Sequence, residues 1–447
     1  MSLFGIRDYR HLFGAQLVAL GGTGLATVAL GLLAYQLAGG DAAAVLGTAL
    51  AIKMLIYVLV APIAGACASR VQRRTMLVCL DVTRAATVAA LPFVDHLWQV
   101  YLLVAILQSA SAAFTPTFQA VLPDIVPGER DYTRALSYSQ LASTMEMLLS
   151  PLLAAVLVSV TSFHWLFAGT AVGFLLSAAM VVSSHIPDAV ASARYRISDR
   201  MFSGVRIFVA TPRLRGVMGM NLAVAAAGSI VMVNTVNLVQ QDMHKNPADV
   251  AWLLTANGAG VLVAALAAPR LLDRFAERSV MLTGATTLAI AGAGAIGYSV
   301  APGGSWQWPG LYALWVLIGA GTGAVLTPAG QVLRRSSAVA DRPALFAAQF
   351  SLSHACWLLA YPIAGWGATA VGYTATWSIL GVLAIAGCAV AWSAWPANEP
   401  GQLTHTHTMP VDPDHVRGAT VVGGRYQHAH RYVIDQQHHQ WPRAARA

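Results

Sequence analysis

Long apolar runs, each about twenty residues or more, recur between residues 12 and 395 and constrain the fold more than any other feature. Inside a bilayer every backbone N–H and C=O needs a partner within the chain, so only helices and closed barrels can cross it. Barrel strands are about ten residues long and alternate apolar with polar. These runs are longer and unbroken, and they predict an all-α membrane protein. Twelve helices are read, at roughly 12–37, 44–66, 75–95, 97–118, 135–160, 162–183, 214–240, 248–271, 279–300, 306–329, 344–368 and 370–395, to within a few residues. Composition closes the alternatives. The chain is 57% hydrophobic and 10% charged, against about 25% charged in soluble domains, and it is too apolar to stay disordered. Cys67, Cys79, Cys356 and Cys388 lie in or beside the runs without a Cys-x-x-Cys pair. That pattern argues against a disulfide scaffold and a zinc-thiolate site. Arg7 and Arg10 precede a first run too long for a signal-peptide core, so it is read as a retained helix.

Twelve spans put both termini on one side. With the termini in the cytoplasm, 24 of the 27 Lys and Arg residues fall inside; Lys245 lies outside, and Lys53 and Arg84 lie within spans. The positive-inside rule selects this orientation and predicts a multi-pass protein of the plasma (inner) membrane. The net charge of +8 is thus a topological signal. It is dispersed over loops and termini, so no nucleic-acid partner is expected.

The spans divide six and six around the longest loop. The expected organisation is a first bundle over 1–183, a central loop over 184–213, a second bundle over 214–396 and a polar tail over 397–447. The halves repeat. Thr115-Pro116-x-x-Gln119 ends span 4 and Thr327-Pro328-x-x-Gln331 ends span 10, offset by 212. Pro151 and Pro362 are offset by 211, and Ser69-Arg70 and Asp273-Arg274 by 204. Both copies start on the same side, so their symmetry axis runs along the membrane normal.

The loop after span 2 reads Gly65-x-x-x-Ser69-Arg70-x-x-Arg73-Arg74. It resembles the Gly-x-x-x-Asp-Arg-x-Gly-Arg-Arg motif of the major facilitator superfamily, with Ser for Asp and Gln72 for the second Gly. The copy after span 8 keeps Asp273, Arg274 and Arg278 but has lost the Gly. The resemblance covers residues 1–396 and implies a major facilitator fold working by alternating access, usually as a monomer. It implies that the motif is a cytoplasmic gating latch, and Ser69 in place of Asp means a differently wired one. Asp81 and Arg84 share one face of span 3; they either pair locally or join the Arg70–Arg74 cluster. Exporters of the superfamily carry Gly-Pro-x-x-Gly-Gly in span 5. Ser150-Pro151-Leu152-Leu153-Ala154-Ala155 keeps the Pro and the small residues, which leans toward efflux. Pro151 and Pro362 are expected helix kinks. The span-4 Arg of proton-driven drug exporters is replaced by Ala105, so proton coupling must use other residues.

Ionisable residues at membrane depth are functional candidates. Glu146 in span 5 is the first, because a carboxylic acid there can cycle between charged and neutral forms near neutral pH. Lys53 in span 2 is a candidate partner for it, and His354 in span 11 is suited to proton relay. The resemblance implies that spans 1, 4, 7 and 10 line the cavity. On that basis Gln16, Gln108, Asn221, Asn234 and Asn237 are candidate lining residues, each competing with a role as interhelical glue. Trp252, Trp315 and Trp357 are candidate stacking surfaces.

The tail carries seven of the thirteen histidines. His405 and His407, His428 and His430, and His438 and His439 form short pairs of the kind that bind Ni, Co, Cu or Zn. The tail is similar in kind to those of nickel- and cobalt-resistance permeases of the superfamily. A β-prone run over 428–435 is expected to let it dock on the cytoplasmic face. The expected protein is therefore a secondary transporter in the lipid bilayer, exporting a small molecule on the proton gradient, with no bound cofactor. One alternative is a nickel or cobalt exporter with the tail as collector, the metal being cargo. The other is a non-transporting membrane sensor or scaffold. No Walker loop, His-Glu-x-x-His or Gly-x-Ser-x-Gly occurs, so an enzyme is not expected.

Overall fold

The computed structural model describes residues 3–67, 72–126, 156–186, 197–337, 341–397, 403–407, 419–422, 425–430, 432–434, 438 and 441. Between 127 and 155 it describes 131, 135, 138, 139, 142, 146, 150, 153 and 154. Residues 61–67, 115, 116, 119, 120, 123, 124, 197–203, 342, 343, 403, 405–407, 422, 425 and 430 are placed by their backbone.

The spans are helices at Arg7–Ala38, Ala42–Cys67, Arg73–Ala90 and Leu97–Ile125 (spans 1 to 4), and at His164–Val182 (span 6). Every described residue of span 5 from 131 to 160 is helical. Spans 7 to 12 are Pro212–Asp242, Pro247–Leu272, Glu277–Val300, Gln307–Arg335, Arg342–Ala370 and Gly372–Ala394. Two linkers are nearly absent. Spans 1 and 2 turn at Gly39 (φ 52°) and spans 11 and 12 at Gly372 (φ 79°), a left-handed backbone that glycine adopts without a Cβ clash.

Helix pairing repeats with the sequence. Span 1 packs on span 6, 2 on 4, 3 on 6 and 3 on 4. Six spans later, 7 packs on 12, 8 on 10, 9 on 12 and 9 on 10. Lipid offers no hydrophobic drive between helices, so close contact depends on small residues. In span 10 a Cβ at Gly323 would lie 2.6 Å from Val261 O of span 8, and one at Gly321 would lie 2.9 Å from Gly284 O of span 9. Among the described residues the halves meet chiefly along spans 2 and 11.

The central linker differs from the loop expected over 184–213. Its residues Ile197–Ala210 form a helix that packs on span 11. Ile197, Met201, Val205 and Phe208 recur at helical spacing among polar residues, which favours a one-sided surface helix. Span 7 is longer than expected and contains π-helical turns at Ile230–Asn234 and Leu238–Asp242.

The tail folds. Strands β1 (Leu403–His407), β2 (Thr420–Val422) and β3 (Arg425–His430) form an antiparallel sheet in the order β1-β3-β2. Beyond it Tyr432 and Ile434 are buried in the main apolar core. Tyr432 meets His438 at 4.4 Å and Trp441 at 5.3 Å between ring centroids. The Arg213 guanidinium, at the start of span 7, lies 5.4 Å from the Trp441 ring and donates to Ser336 Oγ at 2.7 Å. The tail is thus held at the end of the bundle that carries the Arg-rich loops, hereafter the basic end.

Candidate transport site

Glu146, Lys53 and His354 come from three spans, and the fold brings them to one region at the junction of the halves. Glu146 lies against span 1 at Gly24. A Cβ there would overlap Ser150 and come within 2.9 Å of Glu146 Oε1, so the missing side chain makes room for the acid. Glu146 and Lys53 are within electrostatic reach of each other. Lys53 is also within reach of His354. The attraction in the first pair is strengthened by the low dielectric around it.

The residue that joins this group across the halves is Tyr57. Its ring stacks on His354 with centroids 5.5 Å apart and planes 6° from parallel, and on Phe350 at 5.9 Å. The Lys53 ammonium, one turn away on span 2, lies 5.9 Å from the Tyr57 ring centroid. His354 Nδ1 is 2.7 Å from the Phe350 carbonyl. That oxygen can only accept, so Nδ1 donates, and Nε2 is the acceptor in the neutral ring. Lys53, Tyr57 and His354 thus run from the neighbourhood of Glu146 to the span 2–span 11 interface. Sequence reasoning missed Tyr57, since an aromatic within an apolar run carries no mark of a polar role.

Asp81 and Arg84 form the local pair: they are hydrogen-bonded ion partners, buried in the first half. Asp81 also accepts from Ser177 of span 6 at 2.7 Å. The guanidinium sits 4.1 Å from the Phe114 ring and 4.5 Å from the Phe174 ring. Asp81 thus has both oxygens engaged within its own half. Arg84→Met is expected to cost about 3–5 kcal/mol, because it strands a buried carboxylate. Replacing both, Asp81→Asn with Arg84→Met, should recover most of that loss. Thermal unfolding in detergent checks it; equal melting of all three proteins would show that the pair carries no stability.

The rest of the expected latch is spread out. Gly65 lies in the last turn of span 2, and Arg70 lies outside the described residues. Arg73 opens span 3, and Arg74 donates to the Val182 carbonyl at the end of span 6. In the second half Asp273 and Arg274 are exposed, Arg278 donates to Trp395 O at 3.0 Å, and Glu277 pairs with Arg335 at 3.0 Å.

Several expected lining residues hold helices together instead. Asn234 is fully buried; it donates to Ala364 O at 2.8 Å and accepts from Trp377 Nε1 at 3.0 Å. Asn221 exchanges bonds with Gln349 of span 11 at 3.2 and 3.3 Å. Asn237 donates to Gly40 O of the opposite half at 2.8 Å. Trp315 is buried and donates to Thr235 Oγ1 at 3.0 Å, so it offers no open stacking face. The physical reason is shared: amides and indoles in a low-dielectric interior are driven to find partners. Gln16 accepts from Ser139 at 2.8 Å. Gln108 is buried, and its Oε1 has no hydrogen-bond partner among the described residues. Pro362 stays within a continuous helix; Pro151 lies outside the described residues. Among the described residues no three His, Cys, Asp or Glu gather as a metal cage. His439 lies outside them, and His438 is buried beside Tyr432.

Two six-helix halves of matching pairing, with a charged group at their junction inside the membrane-spanning region, define the class of the alternating-access carriers. Residues 12–214 and 217–425 match the profile of the Major Facilitator Superfamily, and the chain belongs to that superfamily. It is 24% identical over 220 residues to the uncharacterized MFS-type transporter YfiS of Bacillus subtilis (strain 168), over 47% of this chain and 52% of that protein. It is 29% identical over 150 residues to macrolide efflux protein A of Streptococcus pyogenes, over 32% of this chain and 37% of that protein. The chain thus spans about half, or less, of the length of these curated relatives. Among solved structures, its fold is similar to a bacterial homologue of the lysosomal transporter Spinster, with a TM-score of 0.66 at 13% identity over 87% of this chain and 97% of that one. A D-xylose-proton symporter gives 0.64 at 15% identity over 87% and 98%.

Proposed function

We propose that the protein is a secondary active exporter of a bulky organic molecule, of the macrolide class or similar in size and polarity, driven by protons. The observation that carries the reading is Glu146, an acid at membrane depth that lies against span 1, faces Lys53 and is linked through Tyr57 to the other half. Its protonation changes the charge at the junction, and a carrier needs such a change to bias one of two arrangements. The likeness to macrolide efflux protein A supports export and an organic cargo. The positive-inside count supports a plasma-membrane location with the basic end and both termini in the cytoplasm. The protein works as a monomer in this reading, since each half completes the other. Nickel or cobalt as cargo draws no support from these relatives.

The test is accumulation of a radiolabelled macrolide by bacteria lacking their own exporters, with and without the full chain. The expected result is lower accumulation with the chain, restored to the empty-vector level by a protonophore. Equal accumulation in both strains would overturn the macrolide reading. Export that survives the protonophore would overturn proton drive.

A further inference from the structure

Two outward stripes of the first half converge at the basic end, and a cleft opens where they meet. On span 3 Thr75, Cys79 and Val82 are exposed, and on span 6 Val172, Leu175, Leu176 and Val182 are exposed. Residues three or four apart share a helix face, so each set is a continuous stripe, and apolar stripes of this kind on a membrane-spanning helix face lipid. The cleft has a volume of about 410 Å³ and lies between the start of span 3 and the end of span 6. Gln72, Arg74, Thr75 and His185 supply its polar lining, and Val78, Cys79 and Val182 its apolar lining. Arg74 donates to the Val182 carbonyl, from span 3 to span 6. A carbonyl is neutral, so this bond fixes the guanidinium without cancelling its charge. Among the described residues no carboxylate pairs with Arg74. Asp8 accepts from the His185 backbone N–H at 2.9 Å, and Arg7 and Arg10 flank Asp8 in sequence, so the local charge balance is positive.

We propose that this cleft binds one anionic phospholipid, with the phosphate at Arg74 and an acyl chain along the lipid-facing stripes of spans 3 and 6. A guanidinium with N–H groups to spare holds a phosphate through paired hydrogen bonds. The apolar lining continues into the lipid-facing stripes, so the occupant that fills the cleft is anionic at one end and hydrocarbon at the other. A free phosphate or a nucleotide would leave Val78, Cys79 and Val182 uncovered. Basic pockets between spans on the cytoplasmic side suit lipid head groups, because the inner leaflet is the anionic one, and the cleft lies on that side in the orientation proposed above. Binding itself depends neither on that orientation nor on the cargo. Arg74, a residue of the motif after span 2, thus has a role within its own half, where its bond to Val182 already places it.

The test uses the full chain in a non-ionic detergent and native mass spectrometry, with dioleoylphosphatidylglycerol, dioleoylphosphatidylcholine or inorganic phosphate added alone. One phosphatidylglycerol should be retained per chain, at least about fivefold more tightly than phosphatidylcholine, which is roughly the worth of one basic residue at an anionic lipid surface. Arg74→Gln should remove that preference. Cys79→Phe keeps every charge but fills the apolar part of the cleft, and should weaken phosphatidylglycerol by a similar factor. Arg206→Gln removes an exposed arginine of the linker helix that does not line the cleft, and should leave the preference intact. A second readout keeps Arg74 in place. Cys79 is exposed whereas Cys356 and Cys388 are buried, so in a Cys67→Ser protein maleimide labelling reports on the cleft. Phosphatidylglycerol should slow the labelling of Cys79, and phosphatidylcholine should not. Equal retention of the two lipids, full preference in Arg74→Gln or Cys79→Phe, an equal loss in Arg206→Gln, or labelling of Cys79 that phosphatidylglycerol leaves unchanged would overturn the proposal. Protection of Cys79 by inorganic phosphate alone would mark a free-anion site and would overturn it as well.

Discussion

Glu146→Gln is expected to return substrate accumulation to the level of cells without the transporter, while the protein still reaches the membrane and stays folded. Gln matches Glu in size, so the contact with Gly24 and Ser150 survives. The variant cannot release a proton, so a proton gradient no longer biases the two arrangements. Exchange of labelled for unlabelled substrate, which needs no net proton movement, should persist in reconstituted vesicles. That split between lost concentrative export and retained exchange separates a coupling residue from one needed for binding or folding. Gln also leaves Lys53 without its nearby counter-charge, which is expected to lower stability. The double variant Glu146→Gln with Lys53→Met should therefore recover stability but not export. Full proton-coupled export by Glu146→Gln would remove Glu146 from the mechanism.

The spans were legible in the sequence because a bilayer admits so few backbone solutions. Glu146, Lys53 and His354 were legible one by one for a related reason: each is costly at that depth. Their meeting was not legible. It depends on how spans 2, 5 and 11 are rotated, and periodicity does not fix the rotation of helices that are apolar nearly all round. Tyr57 was invisible for the same reason, although it makes the cross-half contact with His354 and Phe350. Asn234 shows the converse. A polar residue in a presumed cavity helix reads equally as cavity lining or as interhelical glue, and its two bonds run to Ala364 and Trp377 within the second half. The linker helix could have been found, since Ile197, Met201, Val205 and Phe208 recur at helical spacing; the charges between them masked it. In the tail the His-x-His pairs were plain, but the pairing of their strands was not, because strand register is a property of the folded sheet.

Gly365→Leu is expected to abolish transport by holding the halves apart at the end opposite the basic loops. There spans 2 and 11 approach more closely than side chains allow. A Cβ at Gly365 would lie 2.6 Å from Ala43 O and 2.9 Å from Gly47 Cα, and one at Gly47 would lie 2.8 Å from Gly365 Cα and from Tyr361 O. Each clash is with backbone, which cannot rotate aside as a side chain can. The same region is joined by Trp366 donating to Thr48 at 2.9 Å, Asn237 to Gly40 at 2.8 Å and Tyr35 to Gln241 at 3.2 Å, so a wedge at Gly365 strains several inter-half bonds at once. Overpacking costs about 1–3 kcal/mol or more, and about 3 kcal/mol changes the ratio of two conformers about a hundredfold. The variant should therefore populate the arrangement in which this end is open, with each half still folded. Spin labels placed near Thr48 and Trp366 should report a longer distance than in the wild type, and export should be lost. Gly297→Leu is the control: nothing lies within 4 Å of a Cβ there, so it should transport normally. A Gly365→Leu protein that transports at the wild-type rate, with the label distance unchanged, would show that closure of this end is not part of the cycle.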